Sequence, residues 1–392
     1  MWRLAVLTVS ALACTSCAAY VWGENTDGQL GLGTSGSTAD EIAPVEMTGG
    51  PGVWESLSAG QNHSCGVAAN ASLWCWGENV SGQVGNGVTA PGLPQATPVQ
   101  VGAATDWRLS TAGGSHSCAV MDDSTLWCWG NGFSGQLGTG PLFGQESSPV
   151  DVSTGVSTVS AGGDHTCAIA DSGELSCWGT GSSGQLGVGL GCPPDVDDDF
   201  TVCGDVTSPP TAVGAPAQVG TAANWEWIDL GKQHTCGIRN PGILWCWGLN
   251  NQGRLGDDTT IERSSPTAVF TGFVDWASVS AGDHHTCAIR NSGYLYCWGR
   301  NDKGQLGTGD LTEYHTPQPI GNDFWREVSA GGDHTCGIQE DNSLWCWGDN
   351  GAGQLGDDTG VDRNVPTAVA TTAVWHGVSA GAKHTLATVR PE

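Results

Sequence analysis

Basic side chains are scarce in this chain of 392 residues: 13 Lys and Arg stand against 40 Asp and Glu, a formal net charge of −27. A field of that sign repels phosphate backbones and anionic headgroups, which removes nucleic acid as a partner. A solvated, Asp-rich surface that keeps a secreted protein soluble accounts for the same acidity. Lysine and methionine occur three times each, and no long amphipathic helix can be read anywhere. Catalytic patterns are missing too. There is no Gly-x-Ser-x-Gly elbow, no phosphate-cradling loop before a helix and no His-Glu-x-x-His. What is abundant is 61 Gly, 18 Pro, 19 Trp and 16 Cys, a mixture suited to many short strands, tight turns and large aromatic fillers.

The N-terminus differs from the rest. Arg3 precedes an uncharged run from Leu4 to Ala13, which has the length of a signal-peptide core and is too short to span a bilayer. Residues 1–17 are therefore read as a signal peptide or lipoprotein signal, and the chain as exported: extracellular, periplasmic or lipid-anchored at a bacterial envelope. Ser10-Ala11-Leu12-Ala13-Cys14 is similar to a lipobox, which makes Cys14 the lipidation candidate, although Ala11 stands where Leu is usual. A competing reading makes Val9-Ser10-Ala11 through Cys17 a decayed copy of the segment from Val159-Ser160-Ala161 to Cys167.

From residue 18 onward the chain repeats with a period near fifty residues. One copy shows every phrase. Val159-Ser160-Ala161-Gly162 leads to His165-Thr166-Cys167, then the turn Asp171-Ser172-Gly173, then Leu175-Ser176-Cys177-Trp178-Gly179, then Gly184-Gln185-Leu186-Gly187. The Trp-Gly phrase recurs at Trp22, Trp76, Trp129, Trp178, Trp247, Trp298 and Trp347. The Gly-Gln-Leu-Gly phrase follows each, with Val84 and Arg254 as its only internal changes. Four strand-sized segments per period indicate a propeller blade. Thr97-Pro98-Val99 and its counterparts read as an edge strand, where Pro is tolerated.

These phrases resemble the regulator of chromosome condensation (RCC1) repeat, and the resemblance covers residues 18–392. It implies an all-β fold, a seven-bladed β-propeller. The chain ends agree with that number. The last Ser379-Ala380-Gly381 and His384-Thr385 are followed by no Trp-Gly phrase, whereas Ala19-Tyr20-Val21-Trp22-Gly23 opens with one. Six whole repeats and one split copy predict seven blades, closed by N- and C-terminal strands sharing one sheet, which removes exposed edges.

Six cysteine pairs have one spacing: Cys65-Cys75, Cys118-Cys128, Cys167-Cys177, Cys236-Cys246, Cys287-Cys297 and Cys336-Cys346. In a hairpin with a three-residue turn, that spacing sets the two cysteines opposite each other, within disulfide reach. Two-ligand metal sites are the weaker alternative. The split copy has Val21 and Leu386 at these positions, both apolar, which predicts contact across the closure. Seven histidines recur two residues before the cysteine position, from His63 to His384. Such a ring offers ligands to a metal or an anion; one His per blade at a fixed offset fits a buried hydrogen-bonding tie better.

One copy is longer, and its excess, residues 190–206, reads as an acidic insertion closed by a disulfide, Cys192-Cys203. It carries Asp195, Asp197, Asp198 and Asp199, oxygen ligands of the kind calcium takes, though without the Gly and distal Glu of an EF-hand loop. A purely solvated loop is the alternative. These four carboxylates are the candidate binding residues, calcium is the one cofactor considered, and no catalytic residue is assigned.

The expected function is a monomeric scaffold that binds a protein partner and touches membrane only through an N-terminal lipid. An enzyme-capping role like that of the secreted RCC1-like inhibitors of β-lactamase belongs to the same class. The resemblance also raises nucleotide exchange on a small GTPase, which the signal-like N-terminus and paired cysteines oppose. A propeller enzyme with a carboxylate-lined channel is the third alternative.

Overall fold

The computed structural model describes residues 17–89, 93–140, 144–189, 210–371 and 373–390. Among the described residues the regular elements are 28 strands in seven four-stranded antiparallel sheets, without a helix. In blade 1 the strands Trp54–Ala59, His63–Ala68, Leu73–Gly77 and Gln95–Gln100 pair in chain order from the central channel outward. Blades 2 to 6 repeat this from Trp107, Val156, Trp225, Trp276 and Trp325. The second strand is buried along its whole length in blade 1, because a neighbouring blade covers each of its faces. The fourth strand is half exposed and carries Pro98, whose missing N–H is harmless on an outer edge.

Blade 7 is assembled from both ends of the chain. Its order is Glu41–Glu46, Ala18–Gly23, His384–Val389 and Trp375–Ala380. Val21 lies directly opposite Leu386, and Trp22 opposite Thr385. The expected closure and the expected Val21–Leu386 contact are both present.

The six expected hairpin disulfides are formed, with Cα atoms 4.1 Å apart in each. Tight turns set their register. In blade 4 Arg239 pairs with Ile243 across Asn240-Pro241-Gly242, which places Cys236 opposite Cys246. Cys17 is also disulfide-bonded.

Apolar side chains meet in seven wedges between blades. In one, Cys65, Val67 and Leu73 of blade 1 pack on Trp107, Ala119 and Trp129 of blade 2. Two glycine positions make the close packing possible. The last Gly of each Gly-Gln-Leu-Gly phrase has positive φ and lies on the next blade's Trp. At Gly85 (φ 75°) a Cβ would come 2.6 Å from Trp129 Nε1. The other glycine ends the first strand and rings the narrow end of the channel. A Cβ at Gly60 or Gly113 would lie 2.6 Å from the next glycine's carbonyl oxygen.

Candidate functional site

The repeated polar residues are absorbed into joints between blades. His63 Nε2 lies 2.8 Å from Ser117 Oγ, and the same bond runs from His116 to Thr166, His165 to Thr235, His234 to Thr286, His285 to Thr335, His334 to Thr385 and His384 to Ser64. The ring is closed. Each hydroxyl donates its single proton to the backbone carbonyl of the Gln position in the preceding blade, as Thr166 does to Gln136 at 2.8 Å. Nε2 must therefore carry the ring proton, and Nδ1 is left buried and without a partner in all seven. Burial holds these imidazoles far below the usual range, at about 4 in His63 and His334 and about 3 in His116, His165, His285 and His384. The histidine tie expected from the sequence is present, and it runs from blade to blade. No group of three or more His, Cys, Asp or Glu is placed to hold a metal among the described residues.

The Trp of each Trp-Gly phrase donates Nε1–H to that same carbonyl, at 3.0 Å from Trp178 to Gln136. The bond needs a backbone oxygen, so the side chain there can change. Arg254 replaces Gln, and its carbonyl still accepts from Thr286 and Trp298. Its buried guanidinium donates to Asp283 O, Asn251 Oδ1 and Gln252 Oε1.

The channel is lined at its narrow end by the repeated Ser-Ala-Gly phrases and at its wide end by residues that vary among the first strands. Its narrow end holds Asp229 where other blades have Ser or Thr. Asp229 accepts from Ala281 N–H at 2.8 Å and Ser160 Oγ at 3.2 Å; burial still pushes its carboxyl up to about 6. The wide end opens into a cavity of about 430 Å³ lined by Glu55, Trp227, Arg290, Arg326, Glu327 and Glu340 among others. Glu327 accepts one hydrogen bond, from Val378 N–H of the next blade at 3.0 Å. Burial pushes its carboxyl up to about 7, with that bond and Arg326 acting in the other direction.

Around this mouth the second-to-third-strand hairpins and the blade-to-blade connections expose Phe270, Val274, Tyr294, Phe324 and Val374. They belong to three consecutive blade junctions, and Tyr294 and Phe324 are in ring contact at 5.2 Å. At the opposite end the exposed apolar residues, such as Val88, Phe133, Ile261, Leu311 and Val361, are spread over the loops of different blades.

A family model for the RCC1-like domain matches residues 18–387. The chain belongs to the RCC1-like domain family. It is 30% identical over 307 residues to the ultraviolet-B receptor UVR8 of Arabidopsis thaliana, covering 77% of this chain and 65% of the receptor. It is 26% identical over 306 residues to the human E3 ubiquitin-protein ligase HERC2, covering 76% of this chain and 6% of the ligase. The chain thus spans under two thirds of each relative's length. Among solved structures, Prp20p of Saccharomyces cerevisiae superposes with a TM-score of 0.79 at 20% identity, covering 96% of this chain and 92% of Prp20p. Human WBSCR16 gives 0.79 at 19%, covering 95% and 99%. At these identities the likeness speaks for the fold.

In this RCC1-like domain the residues around the mouth are not ones that the sequence singled out. Asp195, Asp197, Asp198, Asp199, the Cys192-Cys203 pair and Cys14 lie outside the described residues. Trp227, Glu327 and Asp229 were not singled out by sequence reasoning, although a signal existed. Aligning the seven copies of the first strand puts Ser56, Leu109, Thr158, Trp227, Ser278, Glu327 and Gly377 at one position, where Trp227 is the one aromatic and Glu327 the one charge, and both line the cavity.

Proposed function

We propose that this chain is a monomeric protein-recognition scaffold of an oxidising, extracytoplasmic compartment, acting by binding and not by catalysis. The exposed aromatics on the wide-mouth side carry this reading: Phe324 (45% exposed) and Tyr294 (38%) are in ring contact, and Phe270 is 67% exposed. Large aromatic side chains clustered in water are what a protein interface uses as anchors. The repeated His, Thr, Trp and Gln positions are taken up in joining blades, so recognition falls to residues that differ between blades. Six structural disulfides support the compartment, and the Arg3–Ala13 pattern supports export. Prp20p, studied for its binding to Gsp1p and histones, offers a protein-binding precedent on this fold.

The test is capture of partners from the producing cell's secreted fraction with the oxidised protein, comparing the parent with a Phe270→Asp/Phe324→Asp variant. The parent is expected to retain a partner that the variant loses at unchanged thermal stability. Equal capture by both would remove this face from the reading.

A further inference from the structure

The wide mouth has the dimensions and the chemistry of a built pocket. Its volume of about 430 Å³ falls in the range of ligand sites, roughly 300–1,000 Å³. Part of its space comes from Gly377, which stands where other blades carry Ser, Leu, Thr, Trp or Glu. A Cβ there would sit 3.8 Å from Glu327 Oε1.

The charges around it are unequally satisfied. Arg290 is paired with Asp275 through two hydrogen bonds of 2.9 and 3.0 Å and lies over the Phe273 ring at 3.8 Å. Arg326 donates to the backbone carbonyls of Trp375 and His376 at 3.2 and 3.0 Å. Both guanidiniums are thereby committed to the wall. Among the described residues Glu327 has no cation within ion-pair distance, and Glu55 and Glu340 line the same space. Trp227 is fixed by its Nε1–H bond to Val279 O at 3.0 Å, and it contributes an aromatic surface to the cavity. A carboxylate outside ion-pair distance of any described cation and an indole lining one cavity, in a chain of net charge −27, make a receptor for an organic cation.

We propose that this mouth binds an alkylammonium or guanidinium group, with Glu327 as counter-charge and Trp227 as aromatic wall, and that its source is a Lys or Arg side chain presented by the protein partner. This assignment of the source rests on the scaffold reading; the pocket chemistry does not.

Calorimetry at pH 7.5 with methylguanidinium, n-butylammonium and a capped Gly-Arg-Gly peptide tests it, with n-butanesulfonate as the anionic control. The parent is expected to bind the three cations and not the sulfonate. Glu327→Gln should weaken cation binding at least tenfold, and Trp227→Leu should weaken it with the carboxylate in place. Glu327 shares the cavity with Arg290, Arg326, His376, Glu55 and Glu340, and cation binding near pH 7 should release a proton in the parent and none in Glu327→Gln. Absence of binding by the parent, or equal binding by Glu327→Gln, would overturn the pocket. Tighter binding of n-butylammonium and methylguanidinium than of the peptide would overturn the side-chain source. Partner capture that depends on Phe324 and not on Glu327 would leave the scaffold standing without this pocket.

Discussion

A histidine at the blade junction does its work as a neutral donor. Its Nε2–H meets a hydroxyl whose own proton is already given to a carbonyl, so a second ring proton on Nδ1 would be buried without an acceptor. That fixes the direction of the acid response. In the unfolded chain these rings titrate near 6.5; in the fold six stay neutral to about 3 or 4, and burial lowers His234 in the same direction. Below pH 6.5 the unfolded state takes up protons first, and stability falls with pH until the folded values are reached. Asp229 and Glu327 act with the opposite sign. Their raised values make their contribution largest at low pH, lost as pH rises through about 6 and 7. The seven histidines, joined by His284, shift further than Glu24, Asp27, Glu55, Glu78, Asp164 and Asp333, whose carboxyls burial also raises, and they set the net slope. The urea midpoint is expected to drop steeply between pH 6.5 and 4, and a flat midpoint there would show that the histidines are not held neutral.

At the scale of an element, each hairpin of second and third strands is a buried wedge that its disulfide ties across a short loop. By the chain-entropy relation, closing a loop of this length contributes about 3 kcal/mol. The apolar neighbours Val67, Leu73 and Trp129 remain in place without the bond, so the blade should survive its loss. The Cys65→Ala/Cys75→Ala double variant is expected to fold, with stability reduced by roughly 2 to 3 kcal/mol in denaturant titration. A variant that fails to fold would mean that the bond forms the blade instead of only stabilising it.

The whole molecule is a ring, and a ring has a seam. Six blades are closed covalently within themselves, and the seventh joins residues 18–23 to 384–389 through hydrogen bonds and apolar contact. Val21 and Leu386 occupy the register that cysteines hold elsewhere and are both fully buried. The geometry for a seventh bond is thus already present. Val21→Cys/Leu386→Cys should form a disulfide on oxidation, and because it spans nearly the whole chain its entropic contribution should reach up to about 5 kcal/mol. A rise in the oxidised over the reduced melting temperature checks this; no crosslink, or no rise, would mean that the seam is not where the ring opens.

Blade number, strand order, the split blade and the six disulfides were legible in the sequence because each depends on local spacing repeated many times. A turn of three residues sets the hairpin register wherever it occurs, and Val21 with Leu386 showed the seam by departing from Cys together. The site was not legible in that way. Trp227, Glu327 and Gly377 come from blades 4, 6 and 7 and are ordinary strand residues in sequence. Only closure of the ring turns their common strand position into one cavity and aims into it a carboxylate that no described cation reaches at ion-pair distance. Tertiary structure likewise decided which atoms of the repeated phrases matter: the Gln position serves through its backbone carbonyl, which is why Arg254 can replace it. Local periodicity encodes what neighbours along the chain require, whereas burial, charge compensation and cavity shape are set by residues brought together through the fold.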